Sequence, residues 1–340
     1  MKLNRRNTIL LIVIIIFLIF GIKLFNIYTD ALTQYVGPTT RVYVISENGP
    51  NGLRDSLKST LGEEIGEKVW KTWDRISKNQ KVYTGSYLIT EDERAWNIAN
   101  KLQNGQQDPI RITFNNLRTI DQLAERISAQ FTFSAENFLS ATDTILSAKG
   151  VSKANYPAHF LPDTYEFYWS ASPNQVVNKL VRQYDIFWSE SRIDKAKQIG
   201  LTPEEVSTLA SIVEEETSKS DERGKVARLY LNRLKRGMLL QADPTVKFAV
   251  GDFSLRRILN QHLKTISPYN TYLNPGLPPG PIRIPSATTL DAVLYAPKHN
   301  YIYMCAKEDF SGYHNFATDL ATHNANAARY HRELNKRKIK

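Results

Sequence analysis

The chain has 340 residues, 42% of them hydrophobic and 23% charged, with 16 Gly and 15 Pro. These values exclude a disordered, collagen-like or low-complexity protein and leave room for about two domains. The formal charge of +10 sits almost wholly at the two ends. Lys2, Arg5, Arg6 and Lys23 meet no acid in residues 1–23, and Arg329, Arg332, Lys336, Arg337, Lys338 and Lys340 oppose only Glu333 in the basic tail. A face that wraps a polyanion belongs on the folded body, so no nucleic-acid partner is expected.

The first predicted element is a transmembrane helix over residues 8–28, uncharged from Thr8 to Ile22. Twenty-one residues make about 31 Å of helix, against a bilayer core of about 30 Å, and Lys23 can snorkel. Residues 1–7, with Lys2, Arg5 and Arg6, are expected in the cytoplasm and the rest outside, on the extracytoplasmic (periplasmic) face of the inner membrane. A cleaved signal peptide is the competing reading. Its apolar core is normally shorter, and Asn26–Ala31 offers no small-x-small site.

Residues 40–131 alternate strand-like and helix-like runs. Strands are expected at 41–46, 82–89 and 110–114, and helices from Gly52, at 92–102 and at 119–129. This is the pattern of a small α+β module. Residues 155–330 are richer in helix, predicted at 173–198, 203–219, 222–236, 254–261, 287–295 and 318–337. Asn274–Pro281 holds four prolines, which forbid helix and central strand there; the loop could wall a cleft or simply pack a connection. Cys305, in the strand-like run Tyr301–Ala306, reads as a buried structural thiol.

The most informative helix starts with Thr202 as N-cap, Pro203 at its first position and Glu205 completing a capping box. At about 100° per residue, Val206, Leu209, Ala210 and Val213 form one apolar stripe. Glu214 and Glu215 then read as solvated, and glutamine at 215 should be nearly neutral. Glu216 falls at the margin of the stripe, where desolvation would raise its pKa toward that of a general acid. A helix-terminal glutamate paired with Lys219 or Arg223 is the other reading of this position. Gln241, Asp243 and Thr245 place amide, carboxylate and hydroxyl within five residues. Tyr269, Asn270 and Tyr272 interleave aromatic and amide groups, as carbohydrate sites do. His314 and His323, beside Asn324, suit structural hydrogen bonds better than a zinc pair, because their spacing matches no helical ligand motif. No nucleophile elbow, phosphate loop or dinucleotide fingerprint is present.

Leu209–Thr217, Leu231-Asn232-Arg233-Leu234, Gln241–Thr245, Tyr269–Tyr272, Gly276–Ile282 and His314–Asn324, in that order, resemble the endolytic murein transglycosylases, or YceG-like proteins; Leu161–Tyr165 also fits. The resemblance implies an α+β fold, with one N-terminal membrane helix, a LysM-like module over 40–131 and a helix-rich catalytic domain over 155–330. It implies a lytic transglycosylase that cuts peptidoglycan glycan strands internally near their site of synthesis, with peptidoglycan synthases as partners and no cofactor or metal. It places the catalytic glutamate at Glu216. Gln241, Asp243, Thr245, Tyr269, Asn270, Tyr272, His314, His323 and Asn324 are then candidates for binding substrate. A membrane-tethered glycan-binding scaffold without turnover is the alternative. A metal-dependent amidase or hydrolase is a weaker one, which a chelator would reveal.

Overall fold

The structure, a computed structural model, describes residues 5–255 and 257–337, so Lys2, Lys338 and Lys340 lie outside the described residues. The chain divides into two compact units, Met1–Arg111 with Glu166–Ala171, and Ile112–Tyr165 with Ser172–Lys340. The boundary at Arg111 falls inside the 40–131 segment drawn from sequence, and residues 112–131 group with the second unit.

The first unit opens with α1 (Arg5–Leu32), a helix long and apolar enough to span a membrane, with its apolar side chains bare from Ile9 to Tyr28. The order that follows is β1 (Thr40–Val44), α2 (Gly49–Leu61), α3 (Glu63–Ile76), β2 (Gly85–Ile89) and α4 (Ala95–Gln103). β1 and β2 pair antiparallel, Thr40 opposite Ile89 and Val44 opposite Gly85. Val42, Val44, Tyr87 and Ile89 point from this ribbon onto Leu53, Leu57, Val69, Trp73 and Ile98 of the helices. A two-stranded ribbon is not stable alone; this apolar face supplies the missing layer. At Gly66 an added Cβ would meet the Leu57 backbone at 2.6 Å, so glycine is what lets α3 approach α2.

Strands β3 (Ile110–Thr113) and β4 (Thr164–Phe167) carry the chain between the units. Between them lie α5 (Ile120–Ser128) and α6 (Ala135–Ala148), and then a 3₁₀ turn, Lys153–His159. Next come α7 (Pro173–Phe187), α8 (Glu190–Gln198), α9 (Pro203–Glu216), α10 (Arg223–Lys235) and α11 (Asp243–Val250). α12 (Ala287–Leu294), β5 (Tyr303–Ala306), β6 (His314–Ala317) and α13 (Leu320–Lys336) complete it. The expected 173–198 helix is broken at Trp188–Ser189. The expected 203–219 helix stops at Glu216, where Thr217 turns extended. The 254–261 helix does not form among its described residues. Ser254 instead bonds Asp252 Oδ1 through N–H (2.9 Å) and hydroxyl (2.6 Å), a local turn that competes with helix.

α9 carries the predicted capping box, Thr202 N–H to Glu205 at 2.8 Å and Glu205 N–H to Thr202 at 3.2 Å. It is the axis of the second unit, packed by α8, α10, α11 and α12. Every residue from Val206 to Val213 is buried, Ser207, Thr208 and Ser211 included. Those hydroxyls return to backbone carbonyls of their own helix at 2.7–3.0 Å, so their polarity does not require water.

Candidate active site

Because α9 has no exposed residue from Val206 onward, its three terminal glutamates turn toward three protein environments. Glu215 is 14% exposed and is held by Arg118 (2.8 and 3.0 Å) and Arg283 (2.8 Å). Glu214, 10% exposed, takes Ser286 N–H and hydroxyl at 2.9 Å and lies 3.4 Å from Arg283. Arg283 also donates to Asn116 at 2.8 Å. The solvated reading of Glu214 and Glu215 is therefore corrected: the side pointing away from the apolar stripe meets a second wall of protein. The segment after the proline-rich loop builds that wall, with Ile282 N–H bonding Ser211 Oγ at 3.0 Å. The loop reaches it by passing so close to the backbone that a Cβ at Gly280 would fall on the Ala154 carbonyl. None of its residues lines the cavity beside Glu216.

Glu216, half-buried, faces a cavity of about 270 Å³ lined also by Leu229, Tyr230, Arg233, Leu240, Gln241, Asp243, Tyr272, Met304, Cys305, Ala306 and His314. Its Oε1 accepts from Tyr230 Oη at 2.7 Å; it pairs with neither Lys219 nor Arg223. Burial pushes its pKa up to about 7. The Tyr230 bond and Arg233 pull it down, whereas Asp243 and Glu215 push it further up. Tyr230 and Arg233 stand three apart on α10 and so share a face. The Arg233 guanidinium, 7% exposed, is spent on backbone: Nε to Ile302 O at 2.6 Å, Nη1 to Leu239 O and Leu240 O at 3.1 and 2.9 Å. It thereby fixes the turn in which Gln241 takes φ +51° and lies 3.3 Å from Nη1.

The sequence-derived candidates divide. Gln241, Asp243, Tyr272 and His314 reach the cavity. Asp243 opens α11 and accepts from Tyr272 Oη at 2.6 Å. That carboxylate and burial raise the Tyr272 phenol well above its usual range, burial leading. His314 Nδ1 lies 2.7 Å from Glu222, a carboxylate 4% exposed that also takes His314 N–H at 2.9 Å and the Thr217 hydroxyl at 3.3 Å. Thr245 and Asn270, both fully buried, do not face the cavity. Thr245 bonds Ala242 O and Thr271, and Asn270 holds Leu263 O and Thr265 O. They pin the loops that present Asp243 and Tyr272. Tyr269 packs on Phe248, with ring centroids 4.7 Å apart. His323 stacks on Tyr303 at 5.2 Å, behind the β5 wall, and Asn324 is exposed on α13. Cys305, expected as a buried core thiol, is half-buried in the cavity wall. Burial raises its pKa, which keeps it a thiol rather than a reactive thiolate. Tyr230, Arg233 and Glu222 were missed as site residues; the only signal was Arg233 within the Leu231–Leu234 motif.

A carboxyl held near neutrality in an open, polar-lined cavity is equipped for general-acid chemistry. The YceG-like family profile matches residues 45–329, and the chain belongs to this family. An endolytic murein transglycosylase of Bacillus subtilis is 34% identical over 173 residues, 51% of this chain and 47% of the relative. One from Streptococcus pneumoniae serotype 2 is 26% identical over 280 residues, covering 72% of this chain and 50% of the relative. The chain thus spans about half the length of the curated relatives it matches. A crystal structure of a yceG-like protein from Listeria monocytogenes superposes with a TM-score of 0.57 at 24% identity, over 84% of this chain and 98% of that one. That likeness bears on the fold.

Proposed function

We propose that this protein is an endolytic lytic transglycosylase of peptidoglycan, with Glu216 as its catalytic residue. One observation carries the reading: a carboxyl raised to about 7 stands in a sugar-sized polar cavity, on a member of a family whose named relatives are murein transglycosylases. Protonated Glu216 gives its proton to the glycosidic oxygen between N-acetylmuramic acid and N-acetylglucosamine. The resulting carboxylate takes the proton of the muramic 6-hydroxyl as that oxygen attacks C1 and closes a 1,6-anhydro ring. Hydrolases need a second carboxylate to act as nucleophile or to activate water; here one group serves twice. Tyr230 steadies Glu216 in its ionised state, and Gln241, Asp243, Tyr272 and His314 offer hydrogen bonds to the sugars.

The remainder of the reading follows from this. The β1-α2-α3-β2 ribbon and its helices are the LysM-like module that holds glycan, α1 is the membrane anchor with its N-terminus in the cytoplasm, and peptidoglycan synthases supply the nascent strands. Digestion of purified peptidoglycan in heavy-oxygen water tests the chemistry. The expected products are 1,6-anhydromuramic ends free of the label. Labelled reducing ends would make water the nucleophile and Asp243 the obvious second carboxylate. Strand binding without any cleavage would favour the scaffold instead.

A further inference from the structure

A second and larger cavity, about 790 Å³, opens in the same unit. It lies on the reverse side of α10. Leu229, Tyr230 and Arg233 face the Glu216 cavity, whereas Arg228, Leu231, Asn232, Leu234 and Lys235 face this one. At 100° per residue the two sets centre about 180° apart. Its volume falls within the range of ligand pockets, about 300–1,000 Å³.

Its chemistry is one-sided. Lys195, Arg228, Lys235 and Lys298 line it and no carboxylate does, while Ile199, Leu201, Leu231, Leu234 and Leu294 give it an apolar floor. A plain structural reason for cations exists, since α8, α10 and α12 all end here and each C-terminus carries about −0.5 charge. Three termini supply about −1.5 against four cations, which leaves an excess of roughly +2.5. Lys235 and Lys298 are exposed and form no ion pair among the described residues. Arg228 spends Nη2 on Ala296 O at 2.8 Å, and its buried Nε has no partner among the described residues. His299, next to Lys298, is held below its usual pKa by burial first, then by Arg228 and Lys225.

We infer that this cleft binds a short peptide bearing free carboxylates between small apolar side chains, the chemistry of the peptide arms of peptidoglycan. The inference rests on the proposed substrate. Four cations only partly offset by helix ends, with no lining carboxylate, call for ionised oxygens, and the leucine-lined floor takes small apolar side chains between them. The cleft is concave but open along one side, which admits an extended chain. With the cleft and the acid on opposite faces of one helix, the peptide held here belongs to a strand beside the one being cut.

The test is calorimetric titration of the full chain in detergent with N-acetyl-alanyl-γ-glutamyl-alanyl-alanine, and with the same peptide amidated at both carboxylates. Wild type is expected to bind the free acid at least tenfold more tightly than the amide. The double variant Lys235→Glu/Lys298→Glu should lose at least tenfold in affinity, with unchanged melting temperature and unchanged cleavage of glycan strands stripped of peptides. Glu216→Gln should bind the peptide as wild type does. Equal binding of acid and amide, retained binding by the lysine variant, or displacement by inorganic phosphate at equal concentration would each overturn the inference. Peptide binding by a protein that never cleaves peptidoglycan would uphold the cleft and sink the proposed activity, so the two fail separately.

Discussion

The last turn of α9 has two sides that differ in one respect, the company kept by a glutamate. On one side Glu214 and Glu215 sit against Arg118 and Arg283, with charge answered by charge at 2.8–3.4 Å. On the other, Glu216 has a tyrosine hydroxyl for its only hydrogen-bond partner among the described residues, and the nearby guanidinium of Arg233 is committed to carbonyls. Burial without a contacting cation lifts a carboxyl pKa, whereas burial against guanidinium leaves it a structural ion. Three consecutive identical residues thus acquire two jobs from their surroundings alone.

The largest expected difference between the two sides is in turnover. Glu216→Gln keeps the shape and removes the proton, so cleavage should fall by about 10³-fold or more. The fold should remain intact by circular dichroism. Next comes the ionic side. Arg283→Met strips Glu214, Glu215 and Asn116 of a shared partner and leaves two buried carboxylates poorly answered, at an expected cost of about 3 kcal/mol in urea unfolding at neutral pH. Near-neutral stability for this variant would mean that the clamp is ornamental.

Stability against pH separates the sides further. The Glu216 carboxyl titrates at about 7 in the folded state and near 4.5 unfolded, so between those values the folded chain holds the extra proton. Its ionisation therefore erodes stability as pH rises from 4.5 through 7, by up to about 3 kcal/mol above 7. Glu216→Gln should escape that loss. It should be more stable than wild type at pH 8 and show little difference at pH 4.5, as judged by chemical denaturation at both. The smallest effects are paired and opposite in sign. Tyr230→Phe removes the hydrogen bond that favours the ionised acid, and should move the alkaline limb of kcat/KM upward. Glu215→Gln removes a charge that disfavours ionisation, and should move it downward, while also destabilising the fold by about 2 kcal/mol. Limbs that shift together would dissolve the distinction between the sides.

What a single sequence discloses about this site is local. The capping box, the proline at the first turn and the place of Glu216 all lie within one helix and follow from its period. Gln241, Asp243, Tyr272 and His314 stand out by residue type. Hidden were the contacts made across long stretches of chain. Arg118 is 97 residues from Glu215 and Arg283 is 68 away, and nothing in either neighbourhood marks them as partners. The helical wheel failed for a related reason. It assumes one dry face and one wet one, but α9 is buried on all sides from Val206 to Val213, with serines and a threonine that satisfy themselves. Tyr230 was passed over because an aromatic residue in an apolar helix face reads as core, whereas Thr245 and Asn270 were wrongly expected at the sugar because buried loop pins carry the same residue types as sugar ligands.

The central claim is that Glu216 itself carries a proton near neutral pH, and infrared difference spectroscopy between wild type and Glu216→Gln across a pH series reads that proton directly. A protonated-carboxyl band present in wild type, absent from the variant and titrating with a midpoint near 7 is the expected result. A band lost already near 4.5, the ordinary range for a glutamate, would contradict it.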